Sequence, residues 1–149
     1  MKSIFDKNVR FEVITRINSL NKNSEPLWGK MTVAQMVKHC AKCEEYYYGN
    51  IEVERSSLGI IVGENAIMGL LKDEETGIER NAPTSAQFIV TETNLDLETE
   101  KTNWKRLIER YETLKSENFT HWFFGEMKKE ELGQFIYKHC DHHLRQFGA

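Results

Sequence analysis

Apolar residues recur at three- and four-residue spacing in four separate stretches of this chain, and that period puts them on one face of a helix. The first stretch runs from Asn8 to Ser19, with Phe11, Ile14 and Ile17 near the required spacing and Val13 and Leu20 beside them. The second opens at Thr32, where T-x-x-Q (Thr32 to Gln35) has the form of a capping box, and continues through VAQMVKHCAKCEEYYYG to Gly49. The third spans about Leu97 to Glu117, with Trp104, Leu107, Ile108, Tyr111 and Leu114 as its stripe. The fourth follows HWFFGEM and runs from about Lys128 to Phe147. Residues 50 to 94 are less regular: a short helix from Glu64 to Leu71, a turn-rich stretch DEETGIERNAPTS and an extended QFIVTET. Four amphipathic helices without a sheet pattern predict an all-α fold, a four-helix bundle of up-down type with a long irregular crossover between helices 2 and 3.

One domain is expected over residues 1–149, since 149 residues with 40% hydrophobic and 29% charged side chains suffice for a single buried core. A formal charge of -3 gives no general attraction for phosphate backbones, and no basic run is interleaved with aromatics, so nucleic acid is not an expected partner. Residues 1 to 20 lack the apolar core of a signal peptide, and no stretch reaches the length of a membrane span. The chain reads as a cytoplasmic protein with no membrane partner, and its three cysteines (Cys40, Cys43, Cys140) as thiols in a reducing compartment.

Chemistry concentrates at the C-terminus, where KHCDHHLRQFGA places three of the five histidines within five positions. Stepping about 100° per residue, His139 and His143 point with Leu132, Phe135, Ile136 and Phe147, whereas His142 lies about 80° away and Asp141 on the opposite face. An i, i+4 pair brings two imidazoles to one side of a helix with origins about 5 to 6 Å apart, which suits one chelated ion. Because a catalytic zinc normally has three protein ligands, a third donor is needed, and His39 in MVKHCAKC is the candidate, at the edge of the second helix's apolar arc. The competing reading is two core histidines satisfied by hydrogen bonds. Cys40 and Cys43 have no second C-x-x-C to join, which excludes a four-cysteine zinc site, and Cys40 on the apolar arc reads as an inert core thiol. His142, Gln146 and Glu44 read as surface or packing polar groups rather than supports for the imidazoles. Of Tyr46, Tyr47 and Tyr48, one ring is expected to be buried and two partly exposed. Trp28 and Gly29 are expected to plug the bundle end.

The stretches PLWGKMTVAQMVKHC, NAPTSAQF, HWFFGEM and YKHCDHHLRQFG, covering about Arg10 to the C-terminus, resemble the DinB-like (YfiT-like) superfamily of proposed metalloenzymes. More narrowly they resemble its uncharacterised branch, the domain of unknown function 1569 family. The resemblance implies a four-helix bundle, a divalent metal ion, zinc or nickel, and His39, His139 and His143 as its ligands. It also gives His121 in the HWFFG turn a structural role. Better-known relatives act on low-molecular-weight thiols, as bacillithiol S-transferases and a mycothiol-dependent isomerase do. Three neutral imidazoles would leave an ion its full charge to acidify a water or a thiol, giving hydrolysis or transfer on a small-molecule substrate. The alternative is a non-catalytic metal-binding or stress-response module, alone or as a homodimer.

Overall fold

The structure, a computed structural model, describes residues 1–115 and 117–149. Among these residues the helices are α1 (Lys7–Ser19), α2 (Val33–Tyr47), α3 (Ser57–Leu70), α4 (Leu97–Glu109) and α5 (Lys129–Gln146). Two four-residue strands, β1 (Asn118–His121) and β2 (Gly125–Lys128), pair antiparallel just before α5, with Phe119 opposite Met127. The expected all-α four-helix bundle is therefore corrected: a fifth helix occupies the supposed irregular crossover, and a β-hairpin precedes the last helix. No helix among the described residues is long and apolar enough to cross a membrane.

Local chemistry explains both departures. The α3 segment, SLGIIVGENAIMGL, is apolar on all sides, so it carries no stripe of period 3.6, and the expected Glu64 to Leu71 helix captured only its second half. Its start is fixed by Ser56, whose hydroxyl accepts from the Gly59 N–H at 3.1 Å. The hairpin strands are too short for alternation to stand out. Yet His121 and Met127 point inward, and Gly125 takes the turn at φ +88°, a left-handed angle that favours glycine.

The remaining elements follow from their caps and stripes. Thr32 caps α2 with the predicted reciprocal pair: its hydroxyl accepts from Gln35 N–H at 3.2 Å, and its own N–H donates to Gln35 Oε1 at 2.9 Å. Gly49, at φ +79°, follows the helix end. On α1 the buried stripe is Val9, Val13 and Ile17, while Phe11 is 72% exposed, a frame shift from the expected face. The third predicted helix stops at Glu109 and tightens into a 3₁₀ turn, Arg110–Thr113, that turns Tyr111 into the core; its predicted continuation to Glu117 crosses Ser116, which lies outside the described residues.

Helices α1, α2, α4 and α5 share one core in which Met36, Val37, Cys40, Trp104, Leu107, Ile108, Ile136 and Leu144 are fully buried. Each such aliphatic side chain contributes roughly 2 kcal/mol by leaving water. Helix α3 is held differently. A Cβ on Gly63 would sit 2.1 Å from the Phe123 carbonyl oxygen, and one on Gly59 would sit 2.3 Å from it, so helix and hairpin turn touch backbone to backbone. Glycine to alanine in a helix ordinarily stabilises by about 1 kcal/mol. Here the sign should reverse: Gly63→Ala is expected to lower the thermal midpoint by a few degrees, and a rise would show that this apposition is loose.

Candidate metal centre

Helices α2 and α5 face each other across the three imidazoles in question. The ring centroids of His39 and His139 are 5.5 Å apart, those of His39 and His143 4.8 Å, and those of His139 and His143 4.7 Å. His39, read from sequence as an edge position, is 5% exposed, because the 3₁₀ turn Ala86–Phe88 folds over that edge of α2. Its Nδ1 lies 2.9 Å from the Phe88 carbonyl oxygen, which can only accept, so Nδ1 carries the proton and Nε2 keeps a lone pair.

The same logic fixes His143. Gln146 Nε2 donates to the Trp28 carbonyl at 2.8 Å, which orients the amide and turns Oε1 toward His143 Nδ1 at 2.9 Å. His143 therefore also holds its proton on Nδ1 and leaves Nε2 free. Gln146, read from sequence as a packing residue, is buried and aims an imidazole. Its position three residues after His143, within one helical turn, was the available signal. Ligating histidines commonly donate their other N–H to such a carbonyl or amide, which fixes ring and tautomer.

His139 is the exception. The residue keeps some exposure, but its Nδ1 is sealed from solvent and has no hydrogen-bond partner among the described residues. Burial keeps all three rings neutral. It holds His139 well below the usual imidazole range, His143 down at about 3 with the nearby His39 adding to the effect, and His39 low despite the opposing Phe88 carbonyl. Neutral imidazole is the form that accepts a metal ion.

Two thiols enter the cluster, which the sequence reading did not anticipate. The donor atoms of His39, Cys43 and His139 all lie within 4.8 Å of one another, and so do those of Cys40, His139 and His143. Cys43 Sγ is 3.8 Å from His39 Nε2. Burial raises both thiols well above their ordinary pKa.

The donor set (neutral imidazoles with Nε2 lone pairs, that of His39 accepting from the Cys43 thiol, one sealed nitrogen without a partner among the described residues, and adjacent thiols) suits zinc or nickel better than a hard, oxygen-seeking cation. With this geometry in view, the family described as Protein of unknown function (DUF1569) matches residues 7–149. The chain belongs to this family. No curated protein and no solved structure matches it. The DUF1569 match takes in all five helices and the hairpin, and with them every residue of the cluster.

Other singled-out residues of this DUF1569 chain fall around the cluster. His142 is half-buried, its ring 5.4 Å from Trp28 and 5.0 Å from His143. It lines a cleft of about 550 Å³ with Trp28, Ile78, Arg80, Tyr137 and Lys138, and none of His39, His139 or His143 lines it. Trp28 thus walls a cleft, its face under the Arg80 guanidinium at 4.4 Å. His121 is buried in the hairpin, where its Nδ1 accepts from the Phe123 and Phe124 N–H groups at 3.1 and 3.2 Å. Two tyrosines are buried rather than one, because the hairpin covers Tyr46 as well as Tyr47; Tyr46 Oη accepts from Trp122 N–H at 2.6 Å. Glu44 points away from the imidazoles into a network with Trp104, Tyr111 and Cys140.

Proposed function

We propose that this DUF1569 protein binds one divalent metal ion, zinc or nickel, through His39, His139 and His143, and acts as a metal-dependent enzyme of the DinB-like type. The observation that carries the reading is the hydrogen-bond state of the three rings. Two commit their Nδ1 protons to fixed acceptors and keep Nε2 lone pairs, while the third has a sealed, unpartnered Nδ1. Leaving a buried polar atom unsatisfied costs about 1–3 kcal/mol, a cost that coordination of an ion in the cluster would offset.

A divalent ion on neutral imidazoles supplies Lewis acidity, which lowers the pKa of a water or a small thiol. The chain's own residues do the positioning. The Phe88 carbonyl and Gln146 hold the rings and tautomers of His39 and His143, and Phe135, whose ring lies 6.2 Å from that of His139, keeps the α5 side apolar. The reaction class is transfer to or hydrolysis of a small molecule, with a low-molecular-weight thiol as the favoured cosubstrate. A second reading, a non-catalytic metal-binding or stress-response module as monomer or homodimer, draws on one observation: the 550 Å³ cleft lies beside the cluster rather than on it.

The test is the metal content of untagged protein after dialysis against a mild chelator. About one equivalent of zinc or nickel per chain is expected, and loss of it in the double variant His139→Ala, His143→Ala, with His142→Ala unaffected. Metal retained by the double variant would remove the proposed site.

A further inference from the structure

The two helices that face each other at the cluster carry the same spacing. On α5 the donors are His139 and His143; on α2 they are His39 and Cys43. Each pair is separated by four residues, one helical turn, so each helix offers two donors on one side. The match is geometric as well as sequential. Zinc–sulfur and zinc–nitrogen bonds of about 2.3 and 2.05 Å at a tetrahedral angle put two such donors about 3.6 Å apart. Cys43 Sγ and His39 Nε2 are 3.8 Å apart. The sealed, unpartnered Nδ1 of His139 is the independent sign that something belongs among these donors. His139 also falls within 4.8 Å of both His39 and Cys43 at the donor atoms.

We infer that Cys43 is a fourth protein ligand, its thiolate completing an N₃S centre with His39, His139 and His143. The inference rests on the metal-binding reading above and sharpens it. Coordination replaces the thiol proton, which leaves to solvent, so no oxidant or further reactant is needed. Four such ligands would fill the positions of a tetrahedral ion, so turnover there would need a fifth position or the release of one ligand. Cys40 is the alternative thiol, since its sulfur groups with His139 and His143. Only Cys43 repeats the one-turn spacing with a histidine on its own helix.

The experiment uses the full chain loaded with cobalt(II), whose thiolate complexes show an intense near-ultraviolet charge-transfer band that imidazole and water ligands do not give. Wild-type protein is expected to bind about one cobalt with that band. Cys43→Ser should bind cobalt about a hundredfold more weakly and lack the band, and Cys40→Ser should retain it. A stoichiometric cobalt complex of wild-type protein without the band would overturn the Cys43 assignment and leave the three-histidine site standing. So would a band that survives in Cys43→Ser or vanishes only in Cys40→Ser. Failure to bind cobalt at all would overturn the metal-binding reading itself, and with it this inference. The wild-type spectrum alone decides whether any thiolate ligates, and the two serine variants then tell Cys43 from Cys40.

Discussion

His139→Leu is expected to strip the protein of stoichiometric metal while leaving the metal-free chain at least as stable as its parent. Structural zinc sites bind with about 10–16 kcal/mol, so losing one of three or four ligands removes about 3 kcal/mol or more, at least a hundredfold in affinity. In the absence of metal the balance reverses. The imidazole holds a sealed nitrogen with no partner among the described residues, and a leucine of similar bulk removes it, recovering about 1–3 kcal/mol against a repacking cost of about 1 kcal/mol. Metal analysis and a thermal melt in chelator read the two effects separately. A large loss of stability in chelator would mean that this nitrogen has a structural partner and that the cluster has no need of an ion. His121→Leu is the contrasting control. It strands the Phe123 and Phe124 N–H groups that now donate to Nδ1, and it should destabilise by about 2–4 kcal/mol with or without metal.

Glu44→Ala should be among the most damaging single substitutions in the chain, and the damage should depend on pH. Glu44 is fully buried and accepts from Trp104 Nε1 at 3.3 Å, from the Tyr111 hydroxyl and from the Cys140 thiol at 3.5 Å. Alanine strands two strong donors and opens a cavity, at a combined cost of about 4 kcal/mol near pH 5. That corresponds to a fall in thermal midpoint on the order of 10 °C. Burial pushes the Glu44 carboxyl up to about 7 from an ordinary 4.5, against the pull of its three donors. The folded state therefore binds this proton more tightly than the unfolded chain does. The resulting stability is fully present below about pH 4.5 and is lost as pH rises through 7, amounting to about 3 kcal/mol. The gap between wild type and Glu44→Ala should thus be wider at pH 5 than at pH 8, by about 2.5 kcal/mol. Denaturant titrations at the two pH values measure it; a constant gap would contradict the raised carboxyl. The exposed Glu64→Ala should stay within about 0.5 kcal/mol throughout.

What could be read from the sequence follows which elements carry their own signal. Helices α2 and α5 were legible because each is amphipathic and α2 has a capping box; their observed ends lie within two residues of the expected ones. Helix α3 was not, because a segment apolar on every side has no period to detect. The hairpin was missed because four-residue strands give too few alternations, and an aromatic run such as HWFFG reads equally well as a plug. At the cluster, His139 and His143 declared themselves by falling on a core stripe. His39 looked marginal on its own helix because the group that buries it, Phe88, arrives from 49 residues away. Cys43 was overlooked for a different reason. Its spacing from His39 equals that of the C-terminal histidine pair, but C-x-x-C drew the eye to Cys40 and away from H-x-x-x-C.

Helix α3 has a mechanical consequence. It is seated on the hairpin turn through Gly59 and Gly63, buries little beyond Ile67, and leaves Leu58, Ile60, Ile61 and Met68 facing water. Little apolar area resists its departure, and none of its own side chains belongs to the cluster. It is therefore expected to open locally at a smaller free-energy cost than the four packed helices, baring Phe123 and Phe124 while the imidazoles stay in place, and faster amide exchange along α3 than along α2 or α5 would show it.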